Sequence, residues 1–259
     1  MNGQKILHAA VALLVGAVAG FVFADRANRK ELDELRAEVA QARAGKTAAQ
    51  QGAGQTGAQP PAASDSAPAM PSEKEIRDII AKADARSEDA DYQRQVGQGV
   101  YMYSLAQNEP ALMPEAIRIL KRAEKADPKN FQTVLLLGNA NFALAQDGDA
   151  KLYPEARAYY LRALEAKPDD ANLHTLLGMT YYFGSPQDAT RAIAEYRKSL
   201  AKDPRHEMAL QNIVAALVFT GSLDEAGRRI EELEKVNPQN NALGNLRAQL
   251  AQARNAERK

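Results

Sequence analysis

The chain has 259 residues, with 33 basic and 33 acidic side chains and 45% hydrophobic residues. It holds no cysteine and only three histidines, His8, His174 and His206, which excludes disulfides and thiolate metal sites and leaves few imidazole bases or ligands. Balanced charge gives no broad basic face for nucleic acid. No phosphate-binding glycine loop, nucleophile elbow or His-Glu-x-x-His run occurs, so the sequence predicts a non-catalytic protein without metal or cofactor.

Residues Ile6 to Ala24 form an apolar run interrupted only by His8. A helix of this length spans about 28 Å, close to a bilayer's hydrocarbon thickness. Residues 1–25 therefore read as a transmembrane anchor. A cleaved signal peptide is the alternative, with Lys5 as the charged start and Val22-Phe23-Ala24 as the processing site. The length of the run and the helical pattern after it favour the anchor. Ala12, Gly16 and Gly20 form a small-residue stripe, and Leu32, Leu35, Val39 and Ala42 keep helical spacing amid charges. Together these allow a homodimer through a membrane contact and a charged helical stalk over residues 26–44, with a short coiled coil or a solvated helix as its two forms. Residues 45–72 are rich in Ala, Gly, Gln, Pro and Ser and almost lack large apolar side chains. Such a segment cannot offset its conformational entropy by burial and is expected to be a disordered linker with a reach of roughly 30 Å.

Ser72-Glu73-Lys74-Glu75 has the form of a capping box, and Ile76, Ile79, Ile80 and Ala83 then make one helical stripe, which predicts a leading helix. Beyond it a pattern recurs four times. It reads Ala116, Leu120, Ala123, Pro128; Ala156, Tyr160, Ala163, Pro168; Ala192, Tyr196, Ser199, Pro204; and Ala226, Ile230, Leu233, Pro238. Spacings of four and three place the first three members on one helix face, and proline, with the residue before it, ends the helix. A second apolar-periodic stretch precedes each copy. It carries Leu137–Gly138, Leu177–Gly178 and, more loosely, Val96–Gly97, whereas the fourth copy has Ile213–Val214. Gln107–Met113 and Gln146–Tyr153 are inserts between paired helices, and each runs into a Pro-Glu-Ala at a helix start. Leu243, Leu246 and Leu250 predict a final capping helix.

The terminal prolines at 128, 168, 204 and 238 lie 40, 36 and 34 residues apart. That spacing, the Leu–Gly pairs, Tyr181 three residues past Gly178 and the small, bulky, small, Pro series resemble the tetratricopeptide repeat (TPR) family, whose period is about 34. Val134, His174 and Leu210 stand where that family often has Trp. The resemblance implies an all-α helix–turn–helix solenoid of about four repeats with leading and capping helices, over residues 73–255, behind the N-terminal transmembrane helix and linker.

The resemblance also implies that the first helix of each pair lines a concave groove for a protein or peptide client. Carried over by position, the outward residues are Arg94, Gln98, Tyr101 and Met102; Gln132, Leu135, Asn139 and Phe142; Asn172, Thr175, Met179, Tyr182 and Phe183; and Gln211, Ala215, Val218 and Phe219. Those put forward as the partner-binding set are Arg94, Gln98, Tyr101, Gln132, Asn139, Phe142, Asn172, Thr175, Met179, Tyr182 and Gln211. Amides suit a peptide backbone and aromatics suit its apolar side chains. A carboxylate clamp for a chaperone tail finds only Asn139 and Arg94 suitable, so that adaptor role is not expected.

The expected function is a membrane-tethered scaffold that binds a client in assembly or maturation of a bacterial envelope complex. Its layout is also similar to cytochrome c maturation factors, which present apocytochrome, and a self-assembling structural protein without a client is a further reading. Arg26, Arg29, Lys30, Arg36 and Arg43 follow the apolar run, which by the positive-inside rule points to the cytoplasm. The usual orientation of N-terminal anchors and the Ala/Pro-rich tether point instead to the periplasmic face of the inner membrane, which is the reading adopted.

Overall fold

The structure, a computed structural model, describes residues 71–257. The anchor, the stalk, the linker through Met70 and the proposed membrane contact lie outside the described residues. No helix among the described residues is long and apolar enough to cross a membrane. Of the described residues, 71–77 and 78–257 fall in two separate units.

Among the described residues ten α-helices follow one another: α1 Glu73–Ala85, α2 Ala90–Gln107, α3 Met113–Ala126, α4 Phe131–Asp147, α5 Tyr153–Ala166, α6 Ala171–Phe183, α7 Ala189–Lys202, α8 Glu207–Phe219, α9 Leu223–Val236 and α10 Leu243–Glu257. Helices α2/α3, α4/α5, α6/α7 and α8/α9 are the four antiparallel pairs, and each packs on the next. The start of α1 is closed by its capping box: the Ser72 amide donates to Glu75 Oε2 at 2.8 Å, and the Glu75 amide donates to Ser72 Oγ at 3.4 Å. Further along α1, the Ala83 carbonyl accepts from Gln93 Nε2 of α2 at 2.7 Å. At the far end α10 buries Leu243, Leu246 and Leu250 and leaves its polar side to solvent, which covers the apolar face of the last repeat.

Within each pair the glycine and the bulky residue are complementary in volume. A Cβ on Gly97 would meet Leu120 Cγ at 2.6 Å, one on Gly138 would meet Tyr160 Cε1 at 2.8 Å, and one on Gly178 would meet Tyr196 Cε1 at 2.5 Å. The missing side chain is what lets these large residues close against the first helix. In the fourth pair Val214 replaces glycine and Ile230 replaces tyrosine, and both are buried. The filled space moves from one helix to the other. Ala116, Ala156, Ala192 and Ala226 are all fully buried, where two helices approach too closely for anything larger.

Three of the four proline turns share one device, and the fourth has Lys167 before its proline. Asp127, Asp203 and Asn237, each before proline, accept from the backbone amides of Lys129, Arg205 and Gln239 at 3.3, 2.9 and 3.1 Å. Two residues past each proline stands the N-cap of the next first helix, and Asn130, Asp170 and His206 accept from the amides of Thr133, Leu173 and Ala209.

The two inserts share one geometry. Asn108 and Gly148 end α2 and α4 at φ 54 and 132, values open to Asn and Gly and costly for most residues. Each is followed by a single 3-10 turn, Pro110–Leu112 and Ala150–Leu152. Helices α3 and α5 begin one residue before Pro114 and Pro154, so both prolines lie in a first turn, where no amide donor is missed.

Candidate functional site

The first helices α2, α4, α6 and α8 carry the expected partner-binding residues. Arg94, Gln98, Gln132, Asn139, Asn172, Tyr182 and Gln211 are all partly exposed. Four others are not on the surface, and their expected outward placement is corrected. Tyr101, Phe142, Thr175 and Met179 are buried because the second helix of the pair, or the next repeat, closes over them. The Phe142 ring packs edge-on to Tyr153 at 5.6 Å and against Tyr160 at 6.4 Å. Thr175 Oγ1 lies 2.8 Å from Ser199 Oγ of α7 and 3.0 Å from the Ala171 carbonyl. Burial pushes the Tyr101 hydroxyl well above the usual tyrosine range.

Two of the partly exposed amides are committed within the fold. Asn139 Oδ1 accepts from the buried Tyr160 hydroxyl at 3.0 Å. Asn172 Oδ1 accepts from His206 Nε2 at 2.6 Å. Because His206 Nδ1 accepts from the Ala209 amide at 3.2 Å, the proton of the neutral ring sits on Nε2. Burial, the largest influence, lowers the pKa of His206. His174, placed by sequence at a packing position, is buried with Nε2 3.0 Å from the Pro168 carbonyl and Nδ1 2.8 Å from Glu195 of α7. Both ring nitrogens are engaged within the repeat.

The apolar side chains of this face form a series. Starting from buried Tyr160, ring contacts run through Phe142, Tyr153, Phe183 and Tyr182 to Phe219. Successive centroids lie 5.1 to 6.4 Å apart, mostly in edge-to-face geometry. The series takes Phe142, Phe183, Tyr182 and Phe219 from the C-terminal halves of α4, α6 and α8, and Tyr153 and Tyr160 from α5 between them. It begins in the core and ends at Phe219, which is 60% exposed. Tyr182 and Phe183 are partly exposed beside it, and the Tyr182 hydroxyl lies 3.5 Å from the Ala215 carbonyl. Tyr153 was not singled out from the sequence. Its signal is its place directly before a Pro-Glu-Ala, where Met113 stands one repeat earlier and is buried in the same way. Burial pushes the Tyr153 hydroxyl up to about 12.

Phe219 and Tyr182 present apolar ring surface to solvent, and Gln132 and Gln211 are partly exposed on α4 and α8. Arg94 is the one cation of the set, and it pairs with Asp91 at 3.2 Å, so the face has no cluster of positive charge for an anionic tail.

No curated protein matches the sequence. Among solved structures, the chain is similar to the crystal structure of MamA, with 23% identity, a TM-score of 0.52, and coverage of 63% of this chain and 87% of that one. It is similar to an RS-1 MamA double mutant at 19% identity, with a TM-score of 0.53 and coverage of 66% and 87%. It is also similar to YrrB, described as a TPR protein with an unusual peptide-binding site, at 18% identity, a TM-score of 0.54 and coverage of 68% and 84%. At these identities the likeness is one of fold. Residues 186–250 match the tetratricopeptide repeat family model, and the described residues as a whole have the fold of a tetratricopeptide repeat solenoid.

Proposed function

We propose that the protein is a membrane-tethered scaffold whose first-helix face binds a protein or peptide client through apolar anchors. The observation that carries this reading is Phe219. A phenylalanine 60% exposed at the end of a packed aromatic series is solvated at a cost that a partner's apolar side chain removes. The description of YrrB as holding a peptide-binding site supports the use of this fold for such a client. The lack of clustered cations favours a client segment recognised by apolar side chains and backbone over one recognised by a carboxylate.

The apolar run from Ile6 to Ala24 and the Ala/Gly/Gln/Pro segment after it supply the tether in this proposal. They hold the repeats near the periplasmic face of a bacterial inner membrane while leaving them free to turn toward a client in envelope assembly. The test is affinity purification of the full-length protein from solubilised membranes, wild type against Phe219→Asp, with proteins identified by mass spectrometry. A specific partner retained by the wild type and lost from the variant, with unchanged folding, is the expected result. An identical partner set for both sinks the assignment of the face, and a reporter fused at Lys259 tests the side of the membrane.

A further inference from the structure

The second helices are joined from repeat to repeat by ion pairs, and the ladder is interrupted at one place. The residue five after the buried alanine reaches forward to the residue just before the next buried alanine. Thus Lys121 of α3 pairs with Glu155 of α5 at 3.1 Å, and Arg197 of α7 pairs with Glu225 of α9 at 2.6 Å. Between α5 and α7 the same two positions hold Leu161 and Arg191. Leu161 is 46% exposed, and the Arg191 side chain is 69% exposed. Arg191 pairs instead with Asp188 at its own helix start, at 3.2 Å, and that carboxylate also caps the Arg191 amide at 2.9 Å.

A second guanidinium lies close by. Arg157 precedes Leu161 by one turn of α5, so the two share a helix face. Its Nη2 donates to the Thr180 carbonyl at 2.7 Å, and its guanidinium carbon lies 4.1 Å from the centre of the Tyr181 ring, with that of Arg191 5.7 Å from the same centre. Two cations therefore share the Tyr181 ring, Asp188 already pairs with Arg191, and an exposed leucine lies one helical turn from Arg157. Elsewhere on the second helices, Arg118 and Arg122 are matched by Asp84, and Arg162 by Glu124.

We infer that this gap in the ladder is a second docking surface, separate from the first-helix face, for a partner protein segment carrying a carboxylate beside an aliphatic side chain. The carboxylate takes the place of the missing glutamate opposite Arg191, and the aliphatic group covers Leu161. Two cations are too few to hold nucleic acid or a membrane surface, and the exposed leucine gives a bare phosphate nothing to bind. A peptide supplies both features.

The test uses the full-length protein and a labelled peptide of alternating Glu and Leu, with a control peptide in which every Glu is Gln, followed by fluorescence anisotropy. The compared variants are Arg191→Ala, the double change Leu161→Lys with Arg191→Glu, which completes the ladder, and Phe219→Asp on the other face. Saturable binding of the Glu–Leu peptide is expected, weakened about fivefold or more by the double change, by Arg191→Ala and by the Gln control, and unaltered by Phe219→Asp. Should the double variant fail to fold, Arg191→Ala carries the comparison alone. Absence of saturable binding, equal binding by the Arg191 variants, displacement by inorganic phosphate together with equal binding of the Gln peptide, or loss in Phe219→Asp each overturns the inference. The last outcome would place the peptide on the first-helix face and leave the client proposal standing.

Discussion

The buried Tyr160 hydroxyl donates to Asn139 Oδ1 at 3.0 Å, whereas Tyr196, which fills the same place one repeat later, has Met179 where Asn139 would be and no hydrogen-bond partner for its hydroxyl. Burial raises both phenols well above the usual tyrosine range. The two tyrosines pack against glycine at equivalent places and differ in whether their polar atom is satisfied.

Removing the two hydroxyls should therefore have different consequences. Tyr160→Phe loses a buried bond and is expected to cost about 1 kcal/mol. Tyr196→Phe removes an unsatisfied buried polar group and should be neutral or stabilising by up to about 1 kcal/mol. Urea unfolding of the two variants checks the difference, and equal losses would show that the Asn139 bond contributes nothing.

Glycine-to-alanine changes should separate close packing from helix propensity. Gly178→Ala places a methyl 2.5 Å from Tyr196 Cε1, and the forced shift should cost about 1–3 kcal/mol. Gly99, inside α2, has nothing within 4 Å of such a methyl, so Gly99→Ala should stabilise by about 0.5–1 kcal/mol. Thermal melts showing the same sign for both would contradict the packing.

Acid should weaken the junction between the third and fourth repeats. The His206 pKa is lowered in the folded state, so the unfolded chain takes up a proton first as pH falls. Its contribution to stability is complete above the ordinary histidine value of about 6.5 and is lost as pH drops through the folded value. Protonation of Nδ1 also ends its acceptance from the Ala209 amide. His206→Asn keeps a capping acceptor and should flatten this part of the pH–stability curve. Chemical unfolding at pH 7.5 and 5.5 reads it, and an unchanged slope would exclude His206 as the source.

Phe219→Asp should leave the fold in place. The residue is 60% exposed and ends the aromatic series in an edge-on contact with Tyr182 at 6.2 Å, so its stability effect should stay within about 0.5 kcal/mol. A larger loss in calorimetry would assign Phe219 to packing between repeats and weaken its reading as an anchor.

The helix pairs, their order, the capping box at Ser72 and the closing helix with Leu243, Leu246 and Leu250 were all legible in the sequence. Each rests on local physics: proline and its neighbour stop a helix, spacings of three and four define one face, and a glycine beside a bulky partner marks a close approach. The orientation of individual first-helix residues was less legible. Tyr101, Phe142, Thr175 and Met179 have outward positions by repeat register but are buried, because burial depends on side chains that neighbouring helices bring over them, as α5 does over Phe142 and α7 over Thr175. Asn139 and Asn172 look like free amides in one dimension, and only packing brings Tyr160 and His206 to them. Equally, Leu161 and Arg191 are unremarkable as letters thirty residues apart, and they become a gap in a charge ladder once their helices lie side by side. Periodicity encodes which faces are buried, whereas the pairing of a polar atom or an ion is a three-dimensional property, set when the repeats stack.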